Sequence, residues 1–242
     1  MKRFYFCLEL ILLCYTLLFL GCGVNNEKNE KQKTLDDTAS LKTAELPTSS
    51  KNNNVLVIQH KVANFANWKS IFDANDSTRQ SYGLHNYVVG RGINDSNIVV
   101  IFLKMEDMPM AKELMNSVAL KNRMQQAGVL DIPIFLYMEV IFNDSSFVDQ
   151  TARIMVTHKV KECANWKKIY DEQKPERMKA GLIDRGIGYS LDNKNLVGIV
   201  LAVTDFKKVS AYSNSPDLKD KMTAAGVEEP PTFFYYNIVQ KY

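Results

Sequence analysis

Three histidines, two tryptophans and four cysteines are all that 242 residues supply of these types, and neither His-Glu-x-x-His nor Cys-x-x-Cys occurs. The usual zinc-binding spacings are therefore missing, and no metal site or cofactor motif is expected. Charge of one sign is also scarce. Thirty Lys and Arg against 27 Asp and Glu leave a net +3, too even a mixture to mark a nucleic-acid surface. Eleven glycines and seven prolines beside 46% hydrophobic residues exclude collagen-like and wholly disordered classes, and four cysteines are too few for a disulfide framework. No apolar run reaches the roughly 20 residues of a membrane-spanning helix.

The nearest approach is the run from Phe4 to Leu20, with Glu9 inside it. Lys2 and Arg3 precede it and Gly21-Cys22 follow, the basic, hydrophobic, small-residue order of a secretory leader. Leu18-Phe19-Leu20-Gly21-Cys22 resembles the bacterial lipobox. The resemblance implies cleavage before Cys22, lipid on that residue, a membrane as partner, and a folded part held at the cell envelope outside the cytoplasm. A plain leader with a coincidental Cys22 and a spanning anchor are the alternatives, and Glu9 counts against the second. Residues 23–54 are rich in Asn, Glu, Lys, Thr and Ser and contain no aromatic residue, so they read as a polar tether. A flexible chain of that length spans on the order of 30 Å.

The remainder is written twice. His60-Lys61-Val62 returns as His158-Lys159-Val160, Ala66-Asn67-Trp68-Lys69 as Ala164-Asn165-Trp166-Lys167, and Ala127-Gly128-Val129 as Ala225-Gly226-Val227, always at one offset and without a gap. Arg79 and Arg177, Asp107 and Asp205, Pro133 and Pro231, and Tyr137 and Tyr235 obey the same offset. The organisation is therefore a leader (1–22), a tether (23–54), a first repeat (55–142), a joint (143–152) and a second repeat (153–242). Cys7 and Cys14 belong to the leader, which leaves Cys163 alone in the folded part, in the slot of Phe65. It reads as a small buried hydrophobe.

Each repeat reads strand, helix, strand, strand, helix, strand. Ile154, Val156, His158 and Val160 alternate with Arg153, Met155, Thr157 and Lys159, the period of a strand. Trp166, Ile169 and Tyr170, matched by Trp68, Ile71 and Phe72, form a helical stripe. Pro175 predicts a stop or bend in the first helix of the second copy. Turn residues 94–97 and 192–195 join the middle strands, and Asp107 and Asp205 are placed to cap the second helical region. The expected fold class is α+β: two ferredoxin-like βαββαβ repeats packed sheet to sheet. One repeat of about 90 residues with an open sheet face would be marginal alone, and a tandem copy covers that face. Each half resembles the dimeric α+β barrel superfamily, and most closely small proteins related to the antibiotic-biosynthesis monooxygenases, on the His-Lys-Val, Trp-Lys, Phe/Tyr-Asp order that opens both copies. The resemblance implies an intrachain barrel.

Few repeated residues could carry chemistry. His60 and His158 share the apolar side of their strands, and if that side faces the barrel interior they could act as acid or base there. Otherwise they are buried between sheet and helix. Tyr137 and Tyr235 are further catalytic candidates if a titratable partner reaches them. Arg79 and Arg177 could clamp a ligand carboxylate, or pair with Asp73 and Asp171. Trp68 and Trp166 read as core. Two functions stay open: an envelope-tethered binding or accessory module for a small apolar ligand, and, as the resemblance implies, a cofactor-independent monooxygenase or cyclase-like enzyme on an aromatic or polyketide-like substrate. Haem binding through histidine is a third. The chain is expected as a monomer with pseudo-twofold symmetry or as a further homo-oligomer.

Overall fold

A computed structural model describes residues 53–242; the leader, Cys22 and all but the end of the tether lie outside the described residues. The first repeat runs β1 (Asn54–Lys61), α1 (Phe65–Ala74), α2 (Asp76–Ser81), β2 (Leu84–Gly92), β3 (Ile98–Met105), α3 (Met108–Asn116), α4 (Val118–Gln126) and β4 (Ile134–Asn143). The second runs β5 (Ala152–Lys159), α5 (Cys163–Glu172), α6 (Lys174–Lys179), β6 (Leu182–Ser190), β7 (Leu196–Val203), α7 (Phe206–Ser213), α8 (Pro216–Ala224) and β8 (Thr232–Lys241).

The eight strands of the described residues are all antiparallel and close into one barrel in the order β1-β3-β2-β8-β5-β7-β6-β4. Within a repeat the order is that of a ferredoxin-like sheet, with Leu56 opposite Leu103 in the first copy and Ile154 opposite Leu201 in the second. The two sheets also join edge to edge, β2 to β8 and β4 to β6. Closure leaves no strand edge unpaired, so the tandem copy satisfies backbone groups as well as apolar surface.

Period-two alternation divides the side chains into two layers. Leu56, Ile58, Ile101 and Leu103 face outward under the helices and pack with Trp68; Ile154, Val156, Ile199 and Leu201 do so with Trp166. Val57, Phe102, Met138, Met155 and Tyr236 face inward. Tyr236 is fully buried, its ring stacked on Phe234 at 5.8 Å. The room for that ring comes from Gly90, where an added Cβ would stand 2.3 Å from Tyr236 Cδ2. Gly90-Arg91-Gly92 is thus part of a strand with a packing duty.

Both helical regions are broken, in both copies. Pro175 sits in the first turn of α6, yet the first repeat breaks at Asn75 without a proline. Common to both breaks is the arginine one turn on. Arg79 Nη1 donates to the Phe72 carbonyl at 2.7 Å and Arg177 Nη1 to the Tyr170 carbonyl, so a guanidinium joins the backbone amide of Asn75 or Gln173 on a carbonyl at the end of the interrupted helix. The second break falls at Ser117 and at Asn214-Ser215, where serine hydroxyls accept from the amides of Leu120 and Leu218. Asp107 and Asp205 cap α3 and α7 as expected, and Gly128 and Gly226, at φ 78° and 77°, turn the chain out of the last helix of each copy.

Candidate functional site

The lumen is partly filled by apolar side chains and retains a cavity of about 610 Å³. Its lining comes from all eight described strands and from the joint, and it reaches the end of the barrel where β1 and β5 begin and β4 and β8 finish. Val57, Phe102, Leu136, Met138, Met155 and Val200 form apolar wall. The polar groups are concentrated in the second repeat, chiefly Arg153, Thr157, Arg185 and Tyr236.

Two local devices place the arginines. Arg153 is the second residue of β5 and sits directly opposite Tyr236 of β8, so the pair shares the inward face. Arg185 lies at the register shift between Asp184 and Gly186, where β6 carries one residue more than β7. A bulge re-aims its extra side chain. Asp184 turns outward to Arg177, while Arg185 lines the lumen. Tyr87 holds the matching bulge position in the first repeat, between Asn86 and Val88.

Arg185 is neutralised at the joint. Its Nη1 stands 3.2 Å from Asp144 Oδ2, and its Nη2 donates to the Ser146 carbonyl at 2.5 Å. Hydrogen bonds from Ser146 and the Arg185 charge hold the Asp144 carboxyl below its ordinary range. Arg153 has no such partner. Its Nη1 donates to the carbonyls of Gln150 at 2.6 Å and Ala152 at 2.9 Å, and among the described residues no carboxylate pairs with it.

The repeated residues singled out from the sequence lie elsewhere. His60 and His158 face outward, packed against Trp68 and Trp166 at ring separations of 5.7 Å in each case. Tyr137 packs in the same outer layer under Lys112, and Tyr235 lies beside Phe206. The reason is the register: the apolar side of β1 and β5 is the side that the helices cover. Arg79 bonds Asn86 and Asp76, and Arg177 holds Asp184 through Nε at 3.0 Å and Nη2 at 2.9 Å. Asp73 and Asp171 pair instead with Lys69 and Lys167. His158 and Arg177 do come together at a gap of about 110 Å³ under α5–α8, smaller than small-molecule pockets usually are. Cys163 is half-buried, its thiol donating to the Lys194 carbonyl. Burial and the nearby Glu162 push the thiol pKa up, which disfavours the reactive thiolate.

No histidine lines the lumen, so a haem lodged there would find no imidazole ligand among the lining residues. Among the described residues no group of three His, Cys, Asp or Glu converges as a metal site. Acid–base chemistry in the lumen would fall to the lining tyrosines with Asp144, Lys104 and Lys241, and burial pushes the Tyr236 hydroxyl pKa well above its ordinary value. What the arrangement does offer is an apolar chamber with a buried cation at one end.

The architecture is a closed α+β barrel whose two ferredoxin-like halves are both supplied by one chain. Solved structures share it. An anthrone oxidase-like protein superimposes with a TM-score of 0.52 at 11% identity, covering 79% of this chain and 93% of its own. A candidate monooxygenase from Fusobacterium nucleatum subsp. nucleatum gives 0.52 at 12%, covering 79% and 94%. A ferredoxin-fold protein of Listeria monocytogenes related to antibiotic biosynthesis monooxygenases gives 0.45 at 8%, covering 78% and 96%. At these identities the likeness is one of fold, and function rests on the site. No protein-family model matches the sequence, and no curated protein matches it.

Proposed function

We propose that the protein is a small-molecule binding barrel, exported and carried at the cell envelope on lipid at Cys22. The lumen cavity carries the binding reading: about 610 Å³ with a mostly aliphatic and aromatic wall is the size and character of a ligand pocket. Closure on one chain supports a monomer with internal pseudo-twofold symmetry as the working unit, since the described strands leave no open sheet edge for a second copy.

The test uses the full chain in lipid nanodiscs, with its methionine methyl groups labelled for NMR and the neutral probe 2-naphthamide. Addition of the probe is expected to shift the Met138 and Met155 signals saturably, at one site per chain, and to leave that of exposed Met178 in place. Val57→Trp, which fills the lumen, is expected to abolish those shifts with the thermal midpoint retained to within about 5 °C. Absence of any Met138 or Met155 response in the wild type would remove the binding reading.

The envelope reading has its own test. Cells grown with an alkyne-tagged fatty acid should label the wild-type chain, and Cys22→Ala should lose both the label and the association with the membrane fraction. A Cys22→Ala chain that still carries the tag would refute lipid attachment at this residue.

A further inference from the structure

The two walls of the lumen are not copies of each other. At the positions of Arg153 and Arg185 the first repeat has Val55 and Tyr87. The duplicated outer layer kept its histidine, tryptophan and arginine in both halves, while the inner layer acquired its arginines in one half only. The chamber therefore has a single polar pole.

That pole carries uncompensated positive charge. Of the charged side chains lining the cavity, four are basic (Lys104, Arg153, Arg185, Lys241) and one, Asp144, is acidic. Asp144 is committed to Arg185. Arg153 is only 2% exposed, yet it meets two backbone carbonyls through Nη1 alone. Its Nε and Nη2 have no hydrogen-bond partner among the described residues, and that edge of a guanidinium is the one that matches a carboxylate with two parallel bonds. A buried cation without a counter-ion is costly to maintain. Burial lowers the Arg153 pKa, the Tyr236 phenol opposes that shift and Arg185 adds to it.

We infer that the barrel is built for an organic monocarboxylate, its carboxylate received by Arg153 beside Tyr236 and its apolar body lying along Val57, Phe102, Met138 and Met155. This rests on the binding reading above and adds the ligand's charge and direction. The lining arginines stand only on the second repeat's wall, so one acid binds per chain, its carboxylate toward the end of the barrel where β1 and β5 begin. A homodimer of either repeat would have placed two such arginine pairs at that same end, or no arginine at all.

The experiment titrates the full chain in nanodiscs with 2-naphthoate and with the neutral isostere 2-naphthamide, empty nanodiscs serving as blank. The naphthoate is expected to bind at least 10-fold more tightly. Arg153→Met should bring the two probes to equal affinity, and Arg153→Lys, which keeps the charge and loses the fork, should retain part of the preference. Equal binding of the two probes by the wild type would overturn the inference while leaving the binding barrel intact, and binding of neither would overturn both. A preference that survives Arg153→Met would place the anion elsewhere. The wild-type ratio needs no variant, so the inference stays testable if Arg153→Met fails to fold.

Discussion

Trp166→Ala is expected to lower the unfolding free energy by about 3–5 kcal/mol, and Trp68→Ala by a similar amount. Each indole is 3% exposed and closes the outer layer of its repeat. Trp166 stacks on Tyr170 at 5.0 Å and meets Tyr189 and His158 edge-on or tilted; Trp68 stacks on Phe72 at 5.0 Å and touches Phe65 and His60. A void of indole size between a closed barrel and a short helix cannot collapse, because the strands are held on both sides. Barrel closure adds a sharper expectation. With β2 paired to β8 and β4 to β6, neither repeat can open without breaking the other's sheet. Guanidinium unfolding followed by fluorescence and by circular dichroism should therefore show one transition, moved as a whole by either substitution. Two separate transitions, with only one displaced by Trp166→Ala, would show that the repeats fold independently.

The duplication and the strand alternation made this fold readable from the sequence. His60 and Arg153 show where readability ended. Alternation places Leu56, Ile58 and His60 on one side of β1 and Arg153, Met155 and Thr157 on the opposite side of β5. It does not say which side the helices cover. The repeated residues attracted the functional reading because they recur, yet recurrence here follows packing: Trp68 and Trp166, His60 and His158, Arg79 and Arg177 all serve the outer layer in both halves. The useful signal was the opposite one, a position apolar in one copy and charged in the other, as with Val55 and Arg153. Arg185 was harder to see. It reaches the lumen through a bulge, and a one-residue irregularity in register leaves no trace in periodicity. The helix breaks were half legible, since Pro175 marks one of them; the caps at Ser117 and Ser215 lie inside what reads as one continuous helical region.

Acidification from pH 7 to pH 5 is expected to cost the fold on the order of 2 kcal/mol for each of His60 and His158. Both imidazoles are buried, and none of their four ring nitrogens meets a hydrogen-bond partner among the described residues. Burial lowers each pKa from 6.5 to about 4, a nearby Asp131 opposing the shift slightly at His60. The sign follows from proton counting. Below pH 6.5 the unfolded chain takes up a proton at each histidine, while the native state does not until about pH 4. Stability is thus fully present above pH 6.5 and is lost as pH falls toward 4. Asp95, Asp144, Glu162 and Asp205, held by hydrogen bonds below their ordinary values of 3.8 or 4.5, keep their stabilisation across this window and lose it only as pH falls further. Urea midpoints at pH 7, 6 and 5 measure the effect. In His60→Leu/His158→Leu the slope across this window should vanish and the midpoint at pH 7 should not fall, because leucine fills the space beside each indole with no polar atom to desolvate. A wild-type midpoint that stays constant from pH 7 to pH 5 would mean that the two imidazoles are solvated in a way the packing against Trp68 and Trp166 does not permit.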